Sequence, residues 1–153
     1  MEITQRAATS DDASILLTWR NDSRVREISL SPALISRDEH LVWFSSRFDK
    51  QSSEPFLFFE VDGKTVGMAR LDLVSISSDK FEISILVDPN FQGKGVGARI
   101  LSMICETFFD LFPKKTITAK VHQRNYISQK LFENASFEKK FEEGNFYNYE
   151  KHL

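Results

Sequence analysis

One segment limits the possible folds more than any other. It is Gln92-Gly93-Lys94-Gly95-Val96-Gly97, three alternating glycines between a strand-like apolar run and a helix-like apolar run. Phe81 to Val87 reads as a strand ended by Asp88-Pro89-Asn90, and a helix is expected from about Gly97 to Phe109. At such a corner the first helical N–H groups have no intrahelical acceptor, and the helix dipole is positive. Glycines let an anion approach the backbone there, and Lys94 adds a cation beside it. The alternative is a flexible turn that happens to contain glycines. Three of them alternating at one junction favour the anion site.

Two phosphate-binding patterns can be set aside. Gly93-x-Gly95-x-x-Ala98 has dinucleotide-binding spacing, but that motif follows a first strand and requires an acid about twenty residues on. Here the segment follows several strands, and Lys115-Thr116-Ile117-Thr118-Ala119-Lys120 contains no acid. A P-loop is excluded because no Gly-Lys-Ser or Gly-Lys-Thr closes the segment.

The rest of the chain frames this corner. Ile3 to Arg6 reads as a short strand, and Ser10-Asp11-Asp12 offers N-cap chemistry for a helix through Ile15, Leu16 and Trp19. Ser31-Pro32 interrupts the chain. Ser36-Arg37-Asp38-Glu39 then forms a capping box for a helix through Leu41, Trp43, Phe44 and Phe48. Phe56 to Val61 and Thr65 to Val74 read as a hairpin around Asp62-Gly63-Lys64. Thr116 to Val121 alternates as a strand, Tyr126 to Asn134 is helical, and Phe137 to Phe141 with Phe146 to Lys151 close on Glu143-Gly144-Asn145. The order β-α-α-β-β-β-α-β-α-β-β predicts an α/β (α+β) fold: a mixed sheet flanked by helices, without regular βαβ alternation. With no repeat or linker, residues 1–153 are expected to form a single domain.

Composition narrows the function classes. Hydrophobic residues are 41% and charged residues 27%, an ordinary globular mixture. The net charge of −2 and pI near 5.9 argue against a nucleic-acid partner. Cys105 is the single cysteine, which excludes an intrachain disulfide and places the residue in a helical core run. His40, His122 and His152 show no ligand spacing, so no metal is expected. The N-terminus has no signal-peptide pattern and no run reaches membrane-spanning length, so a cytoplasmic protein without a membrane partner is expected. The fourteen phenylalanines fall mainly at core spacings.

Gln92-x-x-Gly95-x-Gly97 after a strand ending Val87-Asp88-Pro89 resembles the coenzyme A signature of the GNAT superfamily of N-acetyltransferases. A second block, Asn125-x-x-Ser128-x-x-Leu131-x-Glu133-x-x-x-Phe137, is similar to that superfamily's later cofactor-contacting helix and following strand. The element order is also that of the GNAT fold, with a mostly antiparallel sheet of about seven strands. The resemblance implies an acyltransferase that moves acetyl from acetyl-CoA directly to a primary amine, acting as a monomer or homodimer. Gln92, Gly93, Lys94, Gly95, Val96 and Gly97 would then hold the pyrophosphate, main-chain groups of Leu86 and Val87 the pantetheine arm, and Asn125 and Ser128 further parts of the cofactor. The backbone N–H of Val87 or Leu86 would polarise the thioester carbonyl.

Such a reaction needs a deprotonated amine, a polarised carbonyl and a stabilised leaving thiolate. Glu82 is a candidate base by the resemblance. Alternation puts Glu82, Ser84 and Leu86 on one strand face. Two readings stand for Glu82: a base acting through water, or a strand glutamate facing solvent or pairing with Arg70. Where many family members carry a leaving-group tyrosine this chain has Phe132, which leaves Ser128 as a candidate and Tyr126 as a weaker one. Ser136 stands where the family usually has glycine.

On the acceptor side, Trp19-Arg20-Asn21 with Arg24-Val25-Arg26, and His40 with Trp43 and Phe44, resemble segments of the ribosomal-protein and amino-sugar N-acetyltransferase branches. Arginines can bind phosphate and aromatics can stack on a ring, so the resemblance implies a nucleotide-linked amino-sugar acceptor held by Arg20, Asn21 and His40. A protein N-terminus is the alternative acceptor, and a CoA-binding module without catalysis is the alternative class. Core packing also explains Trp19, Trp43 and Phe44.

Overall fold

The computed structural model describes residues 1–29 and 32–153. Strands β1 (Thr4–Ala7), β2 (Phe56–Val61), β3 (Lys64–Leu73), β4 (Lys80–Val87), β5 (Thr116–His122), β6 (Glu138–Glu143) and β7 (Phe146–His152) form one sheet in the order β1-β2-β3-β4-β5-β7-β6. Every neighbouring pair is antiparallel except β4–β5, which is parallel. The β2–β3 hairpin turns on Asp62 and Gly63, both at positive φ (50° and 77°), the twist a two-residue turn requires between right-handed strands.

The helices are α1 (Asp12–Asn21), α2 (Ser23–Arg26), α3 (Arg37–Asp49), α4 (Val96–Leu111) and α5 (Tyr126–Asn134). They divide the apolar residues into two cores. On one sheet face Leu16 and Trp19 of α1 and Phe44 of α3 pack on Phe56, Phe58 and Met68. On the other, Ile100, Ile104 and Phe108 of α4 and Phe132 of α5 pack on Leu71, Ile83, Ile117 and Tyr149. The faces follow from strand alternation: Ile83 and Val87 are buried toward α4, whereas Glu82, Ser84 and Leu86 face α1 and α3.

Local capping agrees with the sequence at one helix and departs from it at another. Ser36 accepts from the Glu39 amide at 3.2 Å and opens α3. Asp11, at the N-cap of α1, makes no side-chain cap bond. The neighbouring Asp12 does not cap the helix either: it accepts from the Thr9 amide ahead of it at 2.8 Å and is ion-paired to Arg6 of β1 at 2.7 Å. A tertiary partner has taken the carboxylate that local spacing assigns to a cap. Two short elements add to the expected order: α2, with no buried residue, and a 3-10 turn at Pro89–Phe91. Ser31 lies outside the described residues.

The feature that positions the site is where β4 and β5 part. Their pairing runs only through Lys80–Thr116, Phe81–Ile117 and Glu82–Thr118, although β4 continues to Val87 and β5 to His122. On its other edge β4 stays paired to β3 as far as Gly67–Val87. The sheet therefore opens into a wedge between residues 83–87 and 119–122, and α4 begins at its mouth. Gly67 sets how closely α4 sits: a Cβ there would come within 2.5 Å of Ile100 Cδ1 and 3.3 Å of the Leu86 carbonyl oxygen.

Candidate active site

The glycine segment forms a corner of unpaired donors. Asp88 accepts from the Asn90 amide at 2.9 Å and starts the 3-10 turn, and the Gln92 side chain donates back to the Val87 carbonyl at 3.4 Å. Gly93 and Gly95 then take left-handed backbone, each at φ 77°, and Gly95 is the N-cap of α4 with no side chain to cap it. Among the described residues, no backbone carbonyl accepts from the amides of residues 93 to 98; the first bond of the new helix is Arg99 N–H to the Gly95 carbonyl at 3.2 Å. A Cβ added at Gly93 or Gly95 would meet nothing within 4 Å, so the space above the corner is open. Lys94 and Lys64 both place their ammonium groups 5.0 Å from the Phe91 ring, beside it. An uncapped helix start, flanking cations and open space fit a diphosphate.

Strand alternation decides which β4 groups face the wedge. The Asp88 amide donates to Val66 of the β3 side at 2.8 Å, and the Phe81 carbonyl accepts from Thr118 Oγ1 of β5 at 3.4 Å. Residues of even number therefore turn their main-chain groups to β3, and those of odd number turn theirs to the wedge. Ile85 and the Val87 N–H present free edges to the opening, while the Val87 carbonyl accepts from Gln92. Leu86, expected to share this task with Val87, has its main chain in the ladder with Met68 instead.

The later block forms α5. Asn125 is its N-cap and accepts from the Ser128 amide at 3.0 Å through Oδ1. Ser128 lies half-buried in the first turn, whereas Tyr126 is 73% exposed. Phe132 is buried against Phe137, with ring centroids 5.0 Å apart. The helix ends in a Schellman turn, with Phe137 N–H to the Phe132 carbonyl at 3.0 Å and Ser136 N–H to the Glu133 carbonyl at 3.1 Å. Ser136 takes the left-handed conformation there, at φ 69°, and the turn before Phe137 keeps its glycine-type geometry. Tyr149 is fully buried, donates to Glu133 at 2.7 Å, and is held above its ordinary pKa by burial and by that carboxylate. Cys105 is also buried, with its thiol pushed up to about 11 by desolvation.

Opposite Glu82 across the β3–β4 ladder stands Asp72; Arg70 stands opposite Ser84. The Glu82 carboxylate lies 3.7 Å from Lys120 of β5, so its ion-pair partner is Lys120 and not Arg70. Arg70 pairs with Asp72, which also receives Arg47 at 3.2 Å. On the helix side, Asn21 bonds Ile35 with both ends of its amide, donating at 2.9 Å and accepting at 2.8 Å. His40 is 1% exposed and has both ring nitrogens occupied, by the Ala13 carbonyl and by Arg20. Of these three expected acceptor contacts, Asn21 and His40 thus have their polar atoms turned inward. Arg20 lies over Trp43 at 4.4 Å and makes no ion pair among the described residues.

Sequence reasoning missed Arg70 as a site residue, together with Lys120 and Asn148. The available signal was the alternation of Met68, Arg70 and Asp72, a charged pair in a strand whose neighbours are apolar. No group of metal-ligating side chains occurs among the described residues, and no described helix is long and apolar enough to cross a membrane.

Solved structures share this architecture along nearly the whole chain. A ribosomal-protein-alanine N-acetyltransferase from Brucella melitensis superposes with TM-score 0.81 at 22% identity, covering 98% of this chain and 99% of that one. A spermidine N-acetyltransferase from Vibrio cholerae in complex with CoA and spermine gives 0.82 at 19%, covering 97% and 94%. A GNAT superfamily phosphinothricin acetyltransferase from Sinorhizobium meliloti in complex with AcCoA gives 0.82 at 20%, covering 100% and 89%. At these identities the likeness is one of fold. No curated protein matches the sequence. The family model described as an acetyltransferase (GNAT) domain matches residues 2–138, and the chain belongs to that family.

Proposed function

We propose that residues 1–153 act as one acetyltransferase domain that passes an acetyl group from acetyl-CoA to a primary amine on a nucleotide-linked amino-sugar. One observation carries the cofactor reading: the amides of residues 93 to 98 have no backbone acceptor, and they sit beside a wedge whose free edge is Val87 and Ile85. Gly93, Gly95, Val96 and Gly97 would hold the diphosphate, with Lys94 and Gln92 beside it. The arm would add to the β4 edge as a strand, pairing with main-chain groups of Val87 rather than Leu86. Asn125 would offer its amide nitrogen to the cofactor, its oxygen being the atom that caps α5.

Acetyl-CoA supplies an activated thioester, and the chain's own groups handle protons and charge. The Val87 N–H would face the reacting carbonyl from the wedge. Glu82 would accept the amine's proton through water, with Lys120 3.7 Å from its carboxylate. Ser128 would donate to the leaving sulfur. Its hydroxyl is the available candidate because Phe132 has no proton to give and Tyr149 is buried in the core. Arg20 would meet the acceptor, with His40 and Asn21 as positioning residues.

The test is thiol release from acetyl-CoA in the presence of amines, followed by mass spectrometry of the product. A nucleotide-linked amino-sugar that gains one acetyl group supports the reading. Acetylation confined to peptide N-termini would assign the alternative acceptor. CoA binding with no turnover of any sugar, peptide, polyamine or aminoglycoside would reduce the chain to a binding module.

A further inference from the structure

Three guanidinium groups gather on the sheet face beneath α1 and α3. Arg20 and Arg70 lie 4.4 Å and 5.1 Å from the Trp43 ring, and Arg47 reaches Asp72, which Arg70 also contacts. The carboxylates do not match them one for one. Asp72 is shared by Arg47 and Arg70, Glu54 lies 3.9 Å from Arg47 while also accepting from the Leu73 amide at 2.7 Å, and Arg20 has no carboxylate in ion-pair range among the described residues. Like charges held this close repel one another. Burial, then Arg47 and Arg20, push the Arg70 guanidinium down to about 10.

The same face carries two buried polar atoms without a partner, Arg70 Nε and Asn148 Nδ2, which are the buried side-chain orphans among the described residues. Asn148 is 9% exposed. Register puts them on opposite lips of the wedge: Arg70 stands beside Ser84 on β4, and Asn148 stands beside Lys120 on β5. The β4–β5 pairing stops one step earlier, at Glu82–Thr118. A buried donor left without an acceptor keeps the full cost of its desolvation. Two partnerless donors flanking one opening, beside an arginine without a carboxylate of its own, suit an anion.

We propose that the acceptor carries a carboxylate or phosphate besides its amine, and that Arg20 and Arg70, based on the Trp43 ring, hold that anion while the amine faces Glu82. This rests on the acetyl-transfer reading and names the acceptor's chemistry. Arg20 and Arg70 are specificity residues here, with no part in the proton transfers. Polycationic amines are poor acceptors on this account, since they would enter an arginine cluster.

The experiment compares glucosamine, glucosamine 1-phosphate, glucosaminic acid and spermidine as acceptors in the full chain, with CoA binding measured by calorimetry beside it. The expected result is kcat/KM about tenfold or more higher for the two anionic amines than for glucosamine, with spermidine poorest. In Arg20→Met, and independently in Arg70→Lys, the ratio of anionic to neutral amine falls toward one. Tryptophan fluorescence gives a readout without turnover: a saturable change with glucosamine 1-phosphate and none with glucosamine, weakened in Arg20→Met. Equal kcat/KM across the four amines overturns the proposal and leaves the acetyltransferase reading standing, as does a preference for anions that survives both substitutions. If no amine is turned over, the fluorescence arm decides, and silence toward both anionic amines overturns it. A chain that fails to bind CoA overturns both.

Discussion

Arg20 donates to Nδ1 of His40 across 3.0 Å while Nε2 of the same buried ring donates to the Ala13 carbonyl at 2.7 Å. The second bond requires the proton on Nε2, and that leaves Nδ1 as the acceptor an arginine needs. The neutral imidazole is thus a strut between α1 and α3 that fixes one guanidinium over Trp43.

A pH dependence follows with a definite sign. Burial first, and then the Arg20 charge, hold the His40 pKa below its ordinary value of 6.5, against a raising contribution from the Ala13 bond. Below pH 6.5 the unfolded chain takes up a proton there that the folded chain refuses, so this contribution is fully present above 6.5 and is lost as pH falls from it. Urea midpoints measured from pH 7.5 to 5 are expected to fall on acidification, and to fall less in His40→Gln. Asp12, held low by Arg6 against its own burial, acts in a separate window: its contribution is lost below the ordinary value of 3.8.

Ser136 is a non-glycine residue in left-handed backbone at the end of α5. Such backbone costs an L-residue roughly 1–2 kcal/mol, partly offset by the entropy a glycine loses on folding. Ser136→Gly is expected to raise stability by about 0.5–1 kcal/mol, read as a higher urea midpoint at unchanged m-value.

Gly95 holds the open corner at φ 77°, with no atom within 4 Å of an added Cβ. Gly95→Ala therefore meets a conformational penalty and no clash, of about 1–2 kcal/mol. The backbone can relax by turning amides away from the site. Calorimetry should show CoA affinity falling roughly tenfold in Gly95→Ala, with the chain still folded by circular dichroism.

Much of this architecture is legible in the sequence because it is set by neighbours along the chain. The Asp62-Gly63 turn, the Ser36 cap and the glycine corner each declare themselves within a few residues. The missing information concerns convergence. Arg70, Lys120 and Asn148 flank the same wedge only because β3, β4, β5 and β7 lie in register, and no local pattern encodes that. Asp12 illustrates the same limit, since β1 supplies the arginine it pairs with. Glu82 does not meet Arg70 because the register sets it opposite Asp72.

Glu82→Gln removes the proposed proton acceptor and keeps nearly the same shape. We expect kcat to fall about 10²–10⁴-fold with CoA affinity unchanged. A variant with wild-type kcat would return Glu82 to a structural partner of Lys120.

The amides of residues 93 to 98 are the centre of the account, and ¹H–¹⁵N spectra of the labelled chain titrated with CoA address them directly. The account predicts large saturable shifts at Gly93, Gly95, Val96 and Gly97, with smaller ones at Val87 along the wedge. Shifts confined to another surface, or resonances at that corner unmoved at saturating CoA, would contradict it.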